Sequence, residues 1–153
     1  MKLFKYFVFF LVINFGTLAI GTLLMNNGPQ TKWYQNLNQA PWTPPGWVFG
    51  VAWTTIMICF SVYMAYLYTY QPNTKVKILF TVQFILNVSW NYVFFNQHYI
   101  AFGLLLILVL TGLVGLFLFT YRKLMPIKSV LVLPYFLWLL IATSLNAYIL
   151  LNN

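Results

Sequence analysis

The sequence KWYQNLNQAPWTPPGWVFGVAW occupies residues 32–53 and decides how the rest of the chain is interpreted. Four of the six tryptophans of the protein lie in it: Trp33, Trp42, Trp47 and Trp53. Proline lacks a backbone N–H and fixes φ, so Pro41, Pro44 and Pro45 exclude a helix interior from residues 38–45. The chain then enters a helix near Gly46. Disordered segments contain few aromatic residues, so we predict an ordered loop that covers a flat, apolar site.

The composition is that of an integral membrane protein. Of the 153 residues, 62% are hydrophobic and only 5% are charged, whereas a soluble domain has roughly 25% charged residues. The absence of Asp and Glu excludes carboxylate catalysis, carboxylate metal sites and acidic proton relays. A lone cysteine, Cys59, excludes a cysteine metal site. The net charge of +8 comes from short segments between apolar runs, so we predict no nucleic-acid partner.

Five apolar runs are each long enough to cross a bilayer, which requires about 20 helical residues. They extend over Leu3–Met25, Gly46–Tyr68, Val76–Phe95, Tyr99–Tyr121 and Ile127–Leu151. Lys2 and Lys5 at the start of the first run resemble the basic region of a signal peptide, but the run is longer than a signal core and no Ala-x-Ala site follows it. We therefore predict an all-α bundle of five transmembrane helices. It forms a single domain, residues 1–153, with a long aromatic and proline-rich loop between the first two helices.

The basic residues indicate the orientation of this bundle. If five helices alternate in direction, only Lys32 lies on one side of the membrane. The other seven lie on the opposite side: Lys2, Lys5, Lys75, Lys77, Arg122, Lys123 and Lys128. The positive-inside rule then predicts a cell-membrane protein with a cytoplasmic N-terminus, and with the aromatic loop and the C-terminus outside.

A polar stripe crosses the third run. Gln83, Asn87, Trp90, Asn91 and Phe94 recur at helical spacing and share one face. Amides in a membrane helix must face protein or a cavity, because hydrocarbon offers no hydrogen-bond partner. Two interpretations are open. The amides join helices, each bond contributing about 0.6 kcal/mol, or they form the polar edge of a ligand pocket, which we favour.

The fifth run repeats this pattern. One helical face of it holds Pro134, Trp138, Ala142, Leu145 and Asn146. We expect Pro134 to kink the helix and Ala142 to leave room beside Trp138. Pockets with apolar walls and a few amides suit flat, largely apolar ligands. His98 falls in the turn between the third and fourth runs, where we interpret it as a solvated loop residue.

Three spaced motifs resemble those of the TspO/MBR family. They are WYxxLxxxPWxPPxxxFxxxWT at residues 33–54, QFILNxxWxxxFF at 83–95 and PYxxWxxxAxxLN at 134–146. This family comprises the bacterial tryptophan-rich sensory proteins and the mitochondrial translocator protein, also called the peripheral benzodiazepine receptor. The resemblance implies a five-helix bundle, usually a homodimer, that binds porphyrins such as protoporphyrin IX, with haem as a further candidate. Some members also bind sterols and synthetic isoquinoline carboxamide ligands.

The resemblance also implies the ligand-binding residues. The site is expected to be capped by Trp33, Tyr34 and Trp42 and walled by Trp53, Asn87, Trp90, Trp138, Ala142 and Leu145. One departure concerns sterols. Mitochondrial members carry a Leu–Tyr–Arg pattern late in the fifth helix, whereas Leu145 is followed here by Asn146, Ala147 and Tyr148, with no later Lys or Arg. We therefore do not expect sterol binding.

Three functions remain open from the sequence. The first is a membrane protein that binds tetrapyrroles for sensing, transport or disposal during stress. The second is a light-dependent enzyme that degrades protoporphyrin IX, with Trp53 and Trp138 as photochemical electron donors. The third is a scaffold whose aromatic residues only pack. None of the three requires a cofactor.

Overall fold

The protein is all-helical, and the computed structural model describes residues 1–153, the whole chain. Five helices are long and apolar enough to span a membrane. These are α1 (Lys2–Leu24), α3 (Gly46–Tyr70), α4 (Thr74–Asn91), α5 (Ile100–Tyr121) and α6 (Leu133–Asn152). A short helix, α2 (Lys32–Asn36), lies in the loop between α1 and α3. The predicted five-helix architecture is confirmed.

The five long helices close into a ring in the order α1, α3, α6, α5, α4. Large aromatic side chains fill the centre of this ring, where Phe60, Tyr63, Phe117 and Tyr135 are fully buried. The hydroxyl of Tyr63 donates a hydrogen bond to the backbone carbonyl of Phe117 at 2.8 Å. Because hydrocarbon cannot satisfy a polar group, such bonds link α3 to α5 inside the bundle.

The outer surface of the bundle is apolar. On α5, the side chains of Phe102, Leu105, Leu116 and Phe119 are each more than half exposed. Soluble monomers rarely expose apolar surface of this extent, whereas lipid tails accommodate it at no cost. Together with the helix lengths, this surface identifies a multi-pass membrane protein.

Short polar residues define where the helices begin. The Thr31 hydroxyl accepts a hydrogen bond from the Tyr34 N–H and so starts α2. The side-chain oxygen of Asn73 accepts one from the Val76 N–H at 2.9 Å and starts α4. Both are preferred N-cap residues because their side chains satisfy N–H groups that have no partner inside the helix. Residues 38–45 are non-helical, as the three prolines predicted.

Two interruptions of the long helices were not predicted. The end of α4 continues as a π-helical turn, Tyr92–Asn96, and a 3₁₀ turn, Lys128–Val132, precedes α6. The fifth apolar run, predicted from Ile127, is confirmed as a spanning segment over Lys128–Asn152, but its first five residues form a 3₁₀ turn and Pro134 does not kink an α-helix. Pro134 lies in the first turn of α6, where its missing N–H would have had no helical partner anyway.

The two ends of the bundle differ in composition. The lid end, defined by residues 25–45, the turn at residues 97–99 and the C-terminus, contains one basic residue, Lys32. At this end Asn38 and Asn153 are joined by two hydrogen bonds, of 2.8 and 3.3 Å. The basic end, defined by the N-terminus and residues 71–77 and 122–128, contains the other seven.

Candidate functional site

A cavity of about 330 Å³ lies at the lid end, between α3, α4 and α6 and beneath the aromatic loop. Its volume falls at the lower end of the range for small-molecule sites, about 300–1,000 Å³. Fourteen residues line it: Met25, Pro29, Tyr34, Gln39, Thr43, Pro44, Gly46, Phe49, Trp53, Trp90, Asn91, Phe95, Trp138 and Ala142. None of them is charged.

Three indole rings from three helices form the walls. Trp53 of α3 packs edge-on against the buried Tyr135, with 5.9 Å between ring centroids. Trp138 of α6 is held edge-on by Phe49 at 5.2 Å. Trp90 of α4 donates its ring N–H to the side-chain oxygen of Asn146 at 3.2 Å. Each of the three rings is thus held by a neighbouring side chain, so the cavity walls are preformed.

The three amides of the polar stripe divide between the two roles left open by the sequence. Gln83 and Asn87 donate to the Tyr135 hydroxyl at 2.8 and 3.2 Å and join α4 to α6 inside the core. Asn91, one turn further along, lines the cavity. Its amide nitrogen donates to the Asn87 carbonyl at 3.1 Å, so its side-chain oxygen remains available to a ligand.

The π-helical turn and two glycines bring α1 and the loop close to α4. A Cβ added at Gly28 would overlap the ring of Phe95, and one added at Gly21 would lie 2.8 Å from the amide nitrogen of Asn91. At Gly28 the overlap includes the Cβ of Phe95, so only a residue without a side chain permits this approach; at Gly21 a side chain would displace the end of the Asn91 side chain. π-Helical turns are frequent at functional sites, and this one carries Phe95 to the cavity edge.

Aromatic contacts fix the short helix α2 over the π-helical turn. Trp33 stacks on the imidazole of His98, with 3.9 Å between centroids and 12° between planes. Tyr34 packs on Phe95 at 5.2 Å. Burial raises the pKa of the Tyr34 phenol, so this residue presents a neutral ring to the cavity. His98 is solvent-exposed, as predicted, but its stacking on Trp33 was not predicted.

The proline-rich half of the loop is held mainly by contacts with the end of α6. Trp42 is about half exposed, and its ring N–H donates to the Ser144 hydroxyl of α6 at 3.1 Å. Its ring also packs edge-on against Tyr148 at 5.3 Å. Together with the pair between Asn38 and Asn153, this bond forms a polar clasp between the loop and the end of α6. We call these four residues, Trp42, Ser144, Asn38 and Asn153, the lid clasp.

The structure brings together five of the nine ligand-binding residues expected from the sequence. Those that line the cavity are Tyr34, Trp53, Trp90, Trp138 and Ala142. The other four lie elsewhere. Trp33 stacks on His98 outside the cavity, Trp42 belongs to the lid clasp, Asn87 bonds to Tyr135, and Leu145 is buried in α6.

Sequence reasoning missed several lining residues. Pro44, Thr43 and Gln39 belong to the aromatic loop, but nothing in the sequence indicated which face of that loop turns inward. Met25 and Pro29 carried no signal, because they mark only the end of the first apolar run. Their place at the cavity depends on how α1 approaches α4.

The model of the TspO/MBR family matches residues 7–151, almost the entire chain. The chain belongs to the TspO/MBR family. The tryptophan-rich protein TspO of Bacillus cereus is 32% identical over 149 residues, which cover 95% of this chain and 94% of that protein. The tryptophan-rich sensory protein of Cereibacter sphaeroides is 30% identical over 115 residues, covering 75% and 73%. The human translocator protein is 29% identical over 126 residues, covering 78% and 74%.

Proposed function

We propose that this TspO/MBR protein binds a tetrapyrrole, such as protoporphyrin IX, in the cavity at the lid end. The observation that carries the proposal is the convergence of Trp53, Trp90 and Trp138, from three helices, on one uncharged cavity. Large rigid aromatic faces stack on flat conjugated rings. In this proposal, ligand binding serves sensing, transport or disposal of the tetrapyrrole.

The lack of charge in the lining determines how such a ligand would be oriented. Transfer of an ionised carboxylate into an apolar site is costly unless the charge is paired, and the polar groups of the cavity lining are all uncharged: amides, a hydroxyl, a phenol and indole N–H groups. The propionate groups of a porphyrin would therefore remain at the mouth, near solvent, while the macrocycle enters edge first.

In this proposal the loop moves to admit the ligand, because the closed cavity is small. A complete macrocycle fills more space than a site at the lower end of the small-molecule range. Release of the lid clasp would open the cavity on the side of α6 while the stacked pair of Trp33 and His98 keeps α2 in place. The same opening would admit the isoquinoline carboxamide ligands that the family resemblance implies.

Titration of the purified protein with protoporphyrin IX tests the proposal through quenching of tryptophan fluorescence. We expect saturable quenching at micromolar porphyrin. Absence of saturable quenching at these concentrations would contradict the proposal and indicate a scaffold whose aromatic residues only pack the bundle.

A light-dependent enzyme is the second candidate, favoured by the presence of both Trp53 and Trp138 at the cavity. In this reaction a photoexcited porphyrin takes one electron from an indole, which leaves an indole radical cation and a porphyrin radical anion. Dioxygen then adds to the porphyrin radical anion, and the peroxyl adduct returns the electron to the indole radical cation. Both oxygen atoms end as carbonyl groups at the cleaved carbon–carbon bond of the macrocycle, so the indole is regenerated and no further oxidant or reductant is required. Incubation with protoporphyrin in the dark and in the light separates the two candidates, because only the enzyme forms a product that requires both protein and light.

Tryptophan variants distinguish electron donors from cavity walls. If the indoles donate electrons, Trp53→Phe and Trp138→Phe should largely abolish light-driven turnover but keep most of the binding, because phenylalanine retains a stacking face. Trp47→Phe is the matched control, since Trp47 is 72% exposed and lies outside the cavity. Loss of binding in proportion to activity would assign the indoles to the walls alone.

Three further properties are proposed from the family and the charge pattern. The protein forms a homodimer, lies in the cell membrane, and keeps its N-terminus in the cytoplasm. The seven-to-one division of basic residues between the two ends supports this orientation.

A further inference from the structure

A second and larger cavity, of about 890 Å³, lies at the basic end between α1 and α4. It is an open groove, with α3 contributing its floor. Its walls are apolar and aromatic, and two lysines, Lys5 and Lys77, flank it. No residue of this groove belongs to the candidate tetrapyrrole site.

Edge-on aromatic contacts preform the groove. Phe10 packs against Phe80 with 4.9 Å between centroids and against Tyr68 at 6.0 Å. Tyr6 packs against Tyr68 at 5.0 Å. Because three helices contribute these rings, the groove floor is held by the bundle and not by a mobile loop.

The groove extends along the axes of the two spanning helices α1 and α4. Its lining on α1 extends from Lys5 to Ile13, and on α4 from Val76 to Phe84. Eight residues of helix span about 12 Å, which is most of one hydrocarbon leaflet of about 15 Å. The lysines therefore lie at the level of lipid headgroups, and the apolar walls lie beside the acyl chains.

The two lysines have no anionic partner within the bundle. The chain contains no Asp and no Glu, and its C-terminal carboxylate lies at the lid end. Both lysines are exposed, and the ammonium of Lys77 lies 5.9 Å from the ring centroid of Tyr68, over its face. Their counter-ion must therefore come from outside the protein.

We propose that this groove binds one anionic phospholipid, with the phosphate between Lys5 and Lys77 and an acyl chain along the aromatic floor. Basic pockets between transmembrane helices bind acidic headgroups, and the apolar walls require a ligand with a hydrocarbon tail. Free phosphate could pair with the lysines but would leave the apolar walls without a partner. A zwitterionic lipid carries an ammonium group that offsets the attraction between its phosphate and the lysines.

Native mass spectrometry of the full chain, purified in detergent, tests the proposal. The protein is titrated with phosphatidylglycerol and with phosphatidylcholine of identical acyl chains. We expect one phosphatidylglycerol to bind with about thirtyfold preference, since each lysine near the membrane surface contributes about fivefold. Equal affinity for the two lipids would overturn the proposal.

A charge-matched pair of double variants localises the site. Lys5→Gln/Lys77→Gln should lose the preference for phosphatidylglycerol. Lys75→Gln/Lys123→Gln removes two charges from the same end but none from the groove, and should keep the preference. If both variants lose it equally, attraction is a property of the whole basic end and not of this groove.

A third variant tests the acyl-chain half of the site. Thr81 is exposed and lines the groove, so Thr81→Trp should fill it without disturbing the core and weaken phosphatidylglycerol binding. Glycerol 3-phosphate, which carries the headgroup anion without chains, should fail to compete even in large excess. Effective competition by glycerol 3-phosphate would contradict a lipid site and indicate a simple phosphate site.

Discussion

The two cavities lie at opposite ends of one bundle and share its helices, yet they differ in every property that selects a ligand. The lid-end cavity is small, covered by a loop, and lined by three indoles and two amides. The basic-end groove is more than twice as large, open to the side, and flanked by two lysines. One is suited to a flat conjugated ring, the other to an acidic lipid.

The difference follows from where the chain places its few polar groups. Without any acid, the protein cannot neutralise a lysine internally, so its basic residues remain at the surface where lipid phosphates can pair with them. At the lid end, the hydrogen-bonding groups are amides, hydroxyls and indole N–H groups. Specificity there must come from shape and stacking.

The largest expected effect concerns which end of the bundle faces the cytoplasm. On a Cys59→Ser background, a cysteine at Asn36 of the lid end should react in intact cells with an impermeant thiol reagent. A cysteine at Thr74 of the basic end should react only after the membrane is permeabilised. The cysteine is placed at Thr74 because the side chain of the preceding residue, Asn73, caps α4 and should be kept. The reverse labelling pattern would reverse the assignment of the two cavities to the two leaflets.

The next prediction concerns Ala142, which lines the lid-end cavity beside Trp138. Ala142→Leu should weaken porphyrin binding by about 1–3 kcal/mol, the usual cost of overpacking, as measured by fluorescence titration. Ala101→Leu makes the same change on the exposed surface of α5 and should leave affinity unchanged. Unaltered porphyrin affinity in a folded Ala142→Leu protein would show that the ligand binds elsewhere.

Asn87 and Asn91, one turn apart in α4, test where the ligand site ends. Asn91→Leu should weaken porphyrin binding by about 0.5–1.5 kcal/mol, the net value of one hydrogen bond. Asn87→Leu should leave the affinity unchanged and lower only the free energy of unfolding, by about 0.6 kcal/mol for an intramembrane hydrogen bond. A loss of affinity in the Asn87 variant alone would restore the sequence-based assignment of Asn87 to the ligand.

The smallest expected effect concerns the lid clasp. Trp42→Phe removes the N–H that donates to Ser144. The closed conformation of the loop should thereby lose about 0.5 kcal/mol of stability, the low end for one hydrogen bond. Stopped-flow absorbance should then show porphyrin release about twofold faster. Trp47→Phe, the same change outside the clasp, should not alter the release rate. Equal rates in both variants and the unaltered protein would mean that the clasp does not govern access.

The sequence alone determined the five-helix membrane architecture and the ordered loop. Hydrophobic length is a local property, because each run must be about 20 residues long to cross the bilayer. The position of Pro41, Pro44 and Pro45 likewise fixes where α3 can begin. The sequence motifs also identified the family, and five of the nine expected site residues line one cavity in the structure.

Tertiary structure decided which members of each stripe face the cavity. Asn87 and Asn91 are indistinguishable by helical periodicity, but the hydroxyl of Tyr135, supplied by α6, binds the first and leaves the second at the cavity. The basic-end groove was also invisible in the sequence, because Lys5 and Lys77 line one groove only when α1 packs beside α4. Periodicity specifies a face of one helix, whereas a cavity is the space left between several, and its lining depends on how all of them pack.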